Sequence, residues 1–311
     1  MLEVYSESFP QNARVGMVLR AVSYTLAYAD LFEYPLTASE VHRYLTSVRA
    51  SQVEVMRALE NETLFSRVGE YFTLRGREHV VETRKRRTQI AARLWVKTAR
   101  YGRFISRCPF VRMVAVTGSL AMSNTEEGQD VDFMIVTVPK RLWTVRALIL
   151  LLARIAKLEG IQLCPNYLMT TNALELKERS LYVAHELTQM VPLSGADMYQ
   201  EIRRRNTWVE RYLPNASGAP PAPQGVKTTQ TGSMFQRVVE FLFQFPFMDY
   251  FERWEMNRKI ARLSREQASS FESYFSADVC KGHIDRHGEN VVAALAVRLE
   301  EATQVATTEH A

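Results

Sequence analysis

Apolar residues recur every three or four positions in the first sixty residues, a spacing that predicts helices. The first helix is expected from Val15 to Leu31 and ends before the Tyr34–Pro35 pair. Thr37, with Glu40 three residues later, has the arrangement of a capping box and predicts the start of a second helix. Ser51 begins a third apolar pattern. The chain is therefore expected to open with three helices.

Two short runs of alternating apolar and polar residues follow between Phe65 and Leu74, on either side of Gly69. They predict a β-hairpin. Three helices followed by a hairpin, over residues 12–76, resemble bacterial winged helix-turn-helix domains, which implies a third helix that enters the DNA major groove. The predicted third helix, Ser51–Thr63, carries one Arg and three Glu, a poor composition for phosphate contact. Dimerisation and protein docking stay open beside DNA binding.

The next predicted helix, at residues 77–107, lies in the segment that carries the chain's basic excess. From Arg75 to Arg112 there are twelve Lys or Arg and two Glu, while the net charge of the whole chain is only +5. We expect this basic helix to connect the first domain to the second. Its cations predict either a solvated helix face or a surface for phosphate, so nucleic acid is a candidate partner of residues 75–112.

The most informative pattern lies between residues 111 and 138, where two apolar strands flank a polar loop. The first strand, Val114–Thr117, leads into Gly118 and Ser119, and the second begins after Asp130 and Asp132. In a strand, residues i and i+2 point to the same face, so the two carboxylates are expected to project together. Paired carboxylates bind Mg²⁺ or Mn²⁺, with nucleotide phosphates as further ligands.

The glycine and serine before the loop are expected to hold the phosphates of a nucleotide. Gly118 lacks a Cβ, so the backbone can approach a triphosphate closely. Ser119 would open a short helix, where its hydroxyl and free backbone N–H groups face phosphate oxygens.

This arrangement resembles the DNA polymerase beta-like nucleotidyltransferase superfamily. Its signature is a hydrophobic residue, Gly, then Gly or Ser, followed about ten residues later by Asp-x-Asp or Asp-x-Glu; here it spans Val116 to Val138. The resemblance implies an α/β (α+β) fold, with a small mixed-sheet core at 108–213 and a winged-helix domain before it. It also implies transfer of a nucleoside monophosphate from an NTP to an acceptor, with Asp130 and Asp132 as catalytic metal ligands and Gly118 and Ser119 as nucleotide-binding residues.

A third carboxylate, which the resemblance places on a later strand, is missing. The strand expected at residues 161–169 contains no acid, and Asn166 takes the position as a candidate third metal-site residue. An amide oxygen coordinates weakly and cannot act as a general base. One alternative is that Glu175, from the following segment, supplies the carboxylate, or that the acceptor is a carboxylate or phosphate that needs no base. The other is a degenerate transferase fold that senses nucleotide, or serves as a scaffold while the winged helix and the basic helix bind DNA or a partner.

The remaining patterns predict further helices separated by a linker. Residues 214–233, rich in proline, are expected to form the linker, and residues 234–300 a C-terminal helical segment. Eight aromatic residues lie between Phe235 and Trp254. A helix that packs these rings onto the transferase domain explains them most simply, with a membrane-surface or partner-docking helix as the alternative.

Composition and cysteine content bound the class of protein. With 47% apolar residues among 311, the chain is neither collagenous nor disordered, and it has room for two or three domains. Three cysteines and no signal-like start predict a cytoplasmic protein, and no apolar run is long enough to span a membrane. Cys280 stands at helical spacing from His283 and His287, a weak zinc candidate with only three ligands.

Overall fold

The computed structural model describes residues 11–226, 228–229, 234–243, 246–266, 274–282, 291 and 294–299. They form the expected mixture of helices and strands, an α+β fold with two sheets. The chain divides into two compact units. The first holds the described residues up to Lys85, together with Trp208–Ser217 and 291–299, and the second holds Arg86–Thr207 and the described residues from Gly218 to Gly282. Within the described ranges, no helix has the length and apolar character needed to cross a bilayer.

The N-terminal part of the first unit contains three helices and a small antiparallel sheet with strand order β1-β3-β2. Its elements are α1 (Gln11–Asp30), β1 (Leu36–Thr37), α2 (Ala38–Arg43), α3 (Gln52–Leu59), β2 (Phe65–Val68) and β3 (Tyr71–Leu74). Thr37 and Ser51 both form capping boxes, with Glu40 and Glu54 respectively, which explains why α2 and α3 begin where they do. The three helices and the hairpin predicted from the sequence are therefore present.

One residue of the basic segment, Arg84, is buried in this first unit. It lies at the start of α4 (Val80–Ser106), between the rings of Tyr34 and Tyr71, at 4.1 and 4.6 Å from their centroids. Its guanidinium also donates to Glu40 at 2.7 and 2.9 Å. Burial alone would raise the pKa of Glu40, but the paired Arg84 holds it below its ordinary value. Arg84 is thus part of the packing of this unit.

The second unit is built on a mixed sheet with strand order β7-β4-β5-β6-β9-β8. Its strands are β4 (Val111–Val116), β5 (Val131–Thr137), β6 (Leu163–Thr170), β7 (Val191–Ser194), β8 (Tyr274–Phe275) and β9 (Val279–Lys281). Only β5 and β6 pair in parallel, and α6 (Leu142–Leu158) makes the crossover between them. Phe133 and Ile135 of β5 pack into one core with Trp95 of α4 and Trp143 of α6. By alternation, Asp132 projects from the opposite face.

Several short elements depart from the sequence prediction. Among the further helices predicted before the linker, the apolar pattern at residues 195–213 predicts one helix, and the structure has two, α8 (Ala196–Arg205) and α9 (Val209–Tyr212). Strands β7, β8 and β9, each two to four residues long, were not expected, because so few residues leave no readable periodicity. The helical spacing assigned to Cys280 is wrong, since this residue lies in β9. His283 and His287 lie outside the described residues.

The C-terminal segment is not helical throughout. It contains α10 (Met234–Leu242) and α11 (Pro246–Glu266), and the chain then enters β8 and β9, which extend the sheet beyond β6. The expectation that its aromatic residues pack inward is also wrong for most of them. Among the rings whose side chains the structure describes, Phe241, Phe243, Phe247, Tyr250 and Trp254 are exposed, and Phe235 and Phe245 lie outside that description.

Candidate functional site

The Gly-Ser turn and the two aspartates meet at one end of the β4–β5 pair. Val116 pairs with Phe133, and the N–H of Thr117 donates to the carbonyl of Asp132 at 2.9 Å. Gly118 comes next, with φ of +65°, and a Cβ at this position would lie 2.7 Å from Oδ2 of Asp132. Only glycine fits here without displacing the carboxylate. The contact between Gly118 and Asp132 therefore links the two halves of the predicted motif.

The polar loop between these elements is held by a hydrogen-bond network around Gln129. Its Oε1 accepts from the Ser119 hydroxyl at 3.2 Å, from the Thr125 hydroxyl at 3.1 Å and from the N–H of Glu126 at 3.1 Å. Gly118 and Ser119 belong to the one-turn helix α5 (Gly118–Ala121). From α4, Arg87 donates to Glu126 at 2.7 Å. The loop is thus tied both to itself and to the basic helix.

The residue opposite Asp132 on the neighbouring strand is Cys164. The β5–β6 register pairs Asp132 with Cys164 and then shifts, so that Met134 pairs with Tyr167. Asn166, the expected third position, lies inside this irregularity, and its side chain is buried. Its main-chain carbonyl oxygen accepts from the N–H of Gly282 at 3.2 Å. One ligand atom each from Asp130, Asp132 and Cys164 lie within 4.8 Å of one another. The thiol therefore joins the two carboxylates.

A further acid, Glu186, acts on this group from α7 (Leu181–Gln189). Its charge raises the pKa of Asp132, so the two carboxylates are close enough to interact. Burial raises the pKa of Glu186 itself to about 7, against the effect of Lys281, which pairs with Glu178 at 2.6 Å. The sequence analysis did not single out Glu186. The sequence feature that could have indicated Glu186 is its position as an acid among the apolar residues of a predicted helix, next to His185.

The arrangement leaves negative charge poorly compensated. Burial first, then Asp130 and Glu186, raise the pKa of Asp132 to about 7 from its ordinary value of 3.8. Burial and the same aspartates raise the pKa of the Cys164 thiol well above its usual range. A divalent cation would relieve this repulsion, and carboxylate oxygens are the donors that Mg²⁺ and Mn²⁺ prefer. The group thus fits a metal ion, and its thiol adds a softer donor that Mg²⁺ does not favour.

Glu175, the alternative source of a third acid, is exposed. It pairs with Arg179 four residues later, at 2.9 Å, on the surface. The charge of Glu186 raises the pKa of Asp132, whereas Glu175 is not among the groups that shift it. Of these two acids, Glu186 is therefore the one that acts on Asp132, while the group of ligand atoms within 4.8 Å of one another consists of Asp130, Asp132 and Cys164.

Most cations of the basic segment contact other groups of the protein. Nine of the twelve do so: Arg75, Arg77, Arg84, Lys85, Arg86, Arg87, Lys97, Arg100 and Arg112. Their acidic partners include Asp30, Glu126 and Glu240, which lie outside the segment in the sequence. Seven of the nine contact a carboxylate, whereas Arg75 and Lys97 donate to main-chain carbonyls, so more than half of the cations counted along the sequence are paired with acids in three dimensions.

Comparisons of this chain with protein-family models, with curated proteins and with solved structures find no match.

Proposed function

We propose that the protein is a divalent-metal-dependent nucleotidyltransferase, which moves a nucleoside monophosphate from an NTP to an acceptor. The observation that carries this proposal is the seating of Gly118 against the Asp132 carboxylate, beside Asp130. A glycine turn that binds phosphate and two carboxylates that bind a metal ion can serve one reaction only if they lie next to each other.

Asp130 and Asp132 would hold Mg²⁺ or Mn²⁺ through their carboxylate oxygens. When bound, such an ion would neutralise phosphate charge and polarise the α-phosphoryl group. Because Gly118 has no Cβ, the Asp132 carboxylate lies directly against the turn, and the Ser119 hydroxyl belongs to the same turn. Both residues would orient the triphosphate relative to the two aspartates.

Glu186 is suited to accept the proton of an attacking hydroxyl. A general base works best when its pKa is close to the working pH, and the pKa of Glu186 is about 7. In this scheme the acceptor oxygen bonds to the α-phosphorus, its proton passes to the Glu186 carboxylate, and pyrophosphate leaves. Asn166 could not do this, because an amide oxygen is too weak a base.

The second candidate is a protein that binds nucleotide without transferring it. The presence of Cys164 opposite Asp132 favours this candidate, because a protonated thiol gives the site less negative charge for a second ion than a carboxylate would. In this second candidate the first unit would act as a winged-helix domain that binds DNA or a protein.

The acceptor is a separate question, and a nucleic acid is the candidate that the basic segment suggested. Nine of its twelve cations contact carboxylates or main-chain carbonyls of the protein itself, which weakens that candidate. Salt-dependent affinity for nucleic acid needs several cations that are free to meet phosphates. A small molecule or a protein is therefore the acceptor to try first.

The test uses each of the four NTPs labelled with 32P at the α-phosphate, with Mg²⁺ or Mn²⁺ and with fractions of a cell extract as acceptors. We expect label to appear in an acceptor, and Glu186→Gln to slow transfer by roughly 100-fold or more while NTP binding persists. Glu175→Gln, a matched change in an exposed acid, should leave the rate unchanged. NTP binding without transfer supports the second candidate, and neither binding nor transfer contradicts both.

A further inference from the structure

Helices α10 and α11 carry a surface of exposed apolar side chains. On α10 and the residue after it, Met234, Val238, Phe241, Leu242 and Phe243 are exposed, and on α11, Phe247, Tyr250 and Trp254 are exposed. Phe241 is 73% exposed and Phe247 71%. Within α11, spacings of three and four residues place its three rings on one side of the helix. We call these eight residues the aromatic face.

Buried polar residues, together with Met256 and Ile260 of α11, hold these helices to the rest of the second unit. Gln236 is 1% exposed and donates to the carbonyls of Cys108 and Val111, both at 2.9 Å. Glu252 is buried and accepts from the N–H groups of Trp143 and Thr144 at the start of α6, at 2.8 and 2.7 Å. Packing against the protein therefore does not account for the aromatic face.

The exposed charges around the aromatic face are mainly cations. Arg237 and Arg253 are exposed, and so is Arg258, which pairs with the buried Glu255 at 2.6 Å. The acids of α10 and of the part of α11 with described side chains are buried or paired: Glu252 and Glu255 are buried, Glu240 pairs with Arg112, and Asp249 pairs with Arg141. The guanidinium of Arg258 also lies over the ring of Trp254, 5.0 Å from its centroid. Exposed rings are thus accompanied by cations and by no unpaired acid among these residues.

The outer side of α6, the helix against which α11 packs, has the same character. Leu148, Leu151, Ile155 and Leu158 are exposed at helical spacing, and Leu158 is 88% exposed. The charged residues within this stretch, Arg154 and Lys157, are exposed cations. An apolar surface bordered by cations therefore occurs on three helices of this unit.

We propose that the aromatic face binds the surface of a lipid bilayer that contains anionic lipids. Helices that lie in a membrane interface combine large apolar and aromatic side chains with Arg or Lys, as α10 and α11 do. Anionic headgroups would neutralise the arginines while the rings enter the boundary between headgroups and acyl chains. A second copy of this chain would instead bring arginines against arginines, which like-charge repulsion disfavours. This proposal stands independently of nucleotidyl transfer.

Vesicle flotation tests it, with phosphatidylcholine vesicles that either contain about 30% phosphatidylglycerol or lack it. We expect the full chain to float with the anionic vesicles, with an affinity for neutral vesicles that is lower by roughly tenfold or more. Phe241→Ser combined with Phe247→Ser should lower the affinity for anionic vesicles by a similar factor. Val96→Ser replaces a residue of α4 that is 74% exposed, away from the aromatic face, and should have no effect.

Tryptophan fluorescence gives a readout that depends on location. Trp95, Trp143 and Trp208 are buried, whereas Trp254 is 48% exposed. Brominated lipids should therefore quench the Trp254 emission, and Trp254→Phe should remove the quenching. Failure of the wild type to bind anionic vesicles, or binding that the double substitution leaves unchanged, would overturn the proposal. So would a lipid-free dimer that the double substitution dissociates, because the aromatic face would then be a self-association surface.

Discussion

Gly118 packs directly on the carboxylate of Asp132, and a Cβ on the glycine would lie 2.7 Å from the Oδ2 atom. The positive φ of +65° at this glycine adds a second requirement for the same residue. The turn after β4 and the carboxylate at the start of β5 are consequently positioned by each other. A disturbance of either one should affect both the fold and the cation site.

Replacement of Gly118 by Ala should therefore cost more than backbone strain alone. Gly69 offers a matched control in the β2–β3 hairpin, because its φ is +63° and a Cβ added there would meet nothing within 4 Å. We expect Gly69→Ala to lower the free energy of unfolding by about 1 kcal/mol and Gly118→Ala by about 2 to 3 kcal/mol. Gly118→Ala should also weaken Mn²⁺ binding. Equal losses of stability in urea titrations of the two variants would show that the contact with Asp132 is unimportant.

The cross-strand pairing of Asp132 with Cys164 predicts where an added carboxylate helps a metal ion. Cys164→Asp would place a third carboxylate beside Asp130 and Asp132, so it should destabilise the metal-free protein and tighten Mn²⁺ binding by roughly tenfold. Asn166→Asp, two residues along the same strand, is the matched comparison and should tighten it less. Electron paramagnetic resonance of Mn²⁺ measures both affinities. A stronger gain from Asn166→Asp would support the assignment of Asn166 as the third position.

The raised pKa of Asp132 predicts how stability depends on pH. Between about pH 4 and pH 7 the native protein holds a proton on this carboxyl that the unfolded chain has released. The stabilisation is present below pH 4 and is lost as the pH rises through about 7, so the metal-free protein should become less stable over this window. Each pKa unit corresponds to about 1.4 kcal/mol, so the loss should be on the order of 2 kcal/mol after partial screening.

The control for this pH experiment must separate Asp132 from two other buried groups, Glu186 and His185. Burial raises the pKa of Glu186 to about 7, so its contribution has the same sign as that of Asp132 and is shared by wild type and Asp132→Asn. Burial lowers the pKa of His185 to about 3, so its contribution has the opposite sign: it is present above about pH 6.5 and is lost as the pH falls towards 3. The difference between wild type and Asp132→Asn cancels this contribution. Thermal melts in EDTA should show that difference growing from pH 4 to pH 7, and saturating Mn²⁺ should remove it. A difference that is constant with pH would refute the raised pKa.

Arg84 should act on stability rather than on a nucleic-acid partner. Arg84→Met would leave Glu40 without its guanidinium and would remove the cation between Tyr34 and Tyr71. Because loss of one partner exposes an uncompensated buried charge, we expect the free energy of unfolding to fall by about 3 kcal/mol. Lys85→Met, the neighbouring change at an exposed position, should have little effect. If the two variants were equally stable in denaturant titrations, Arg84 would not have the structural role assigned to it.

The sequence predicted correctly those helices and strands that are determined by residues close together in the chain. The capping box predicted at Thr37 and the apolar pattern that begins at Ser51 place the starts of α2 and α3 correctly, because both signals come from residues a few positions apart. The strands around Gly118 and Asp130 are likewise at the expected positions, since each has a continuous apolar run.

The features that the sequence did not predict depend on contacts between distant segments. Cys164 lies opposite Asp132 because of a register shift within the β5–β6 pair, and no pattern in either strand reports it. Glu186 approaches from α7, more than fifty residues after Asp132. The inward side of α11 contains buried Glu252, which is favourable only because the start of α6 supplies N–H donors. Apolar spacing alone therefore assigned its rings to the wrong side.

In the proposed function, Asp130 and Asp132 bind nucleotide through a divalent cation, and calorimetric titration of the four NTPs measures this binding. Wild type, Asp130→Asn and Asp132→Asn would each be titrated in Mn²⁺ and in EDTA. We predict that wild type binds at least one NTP in Mn²⁺, and that EDTA or either substitution lowers this affinity by roughly tenfold or more, because phosphate charge is then uncompensated. Equal affinities of the three proteins, with and without Mn²⁺, would contradict the account.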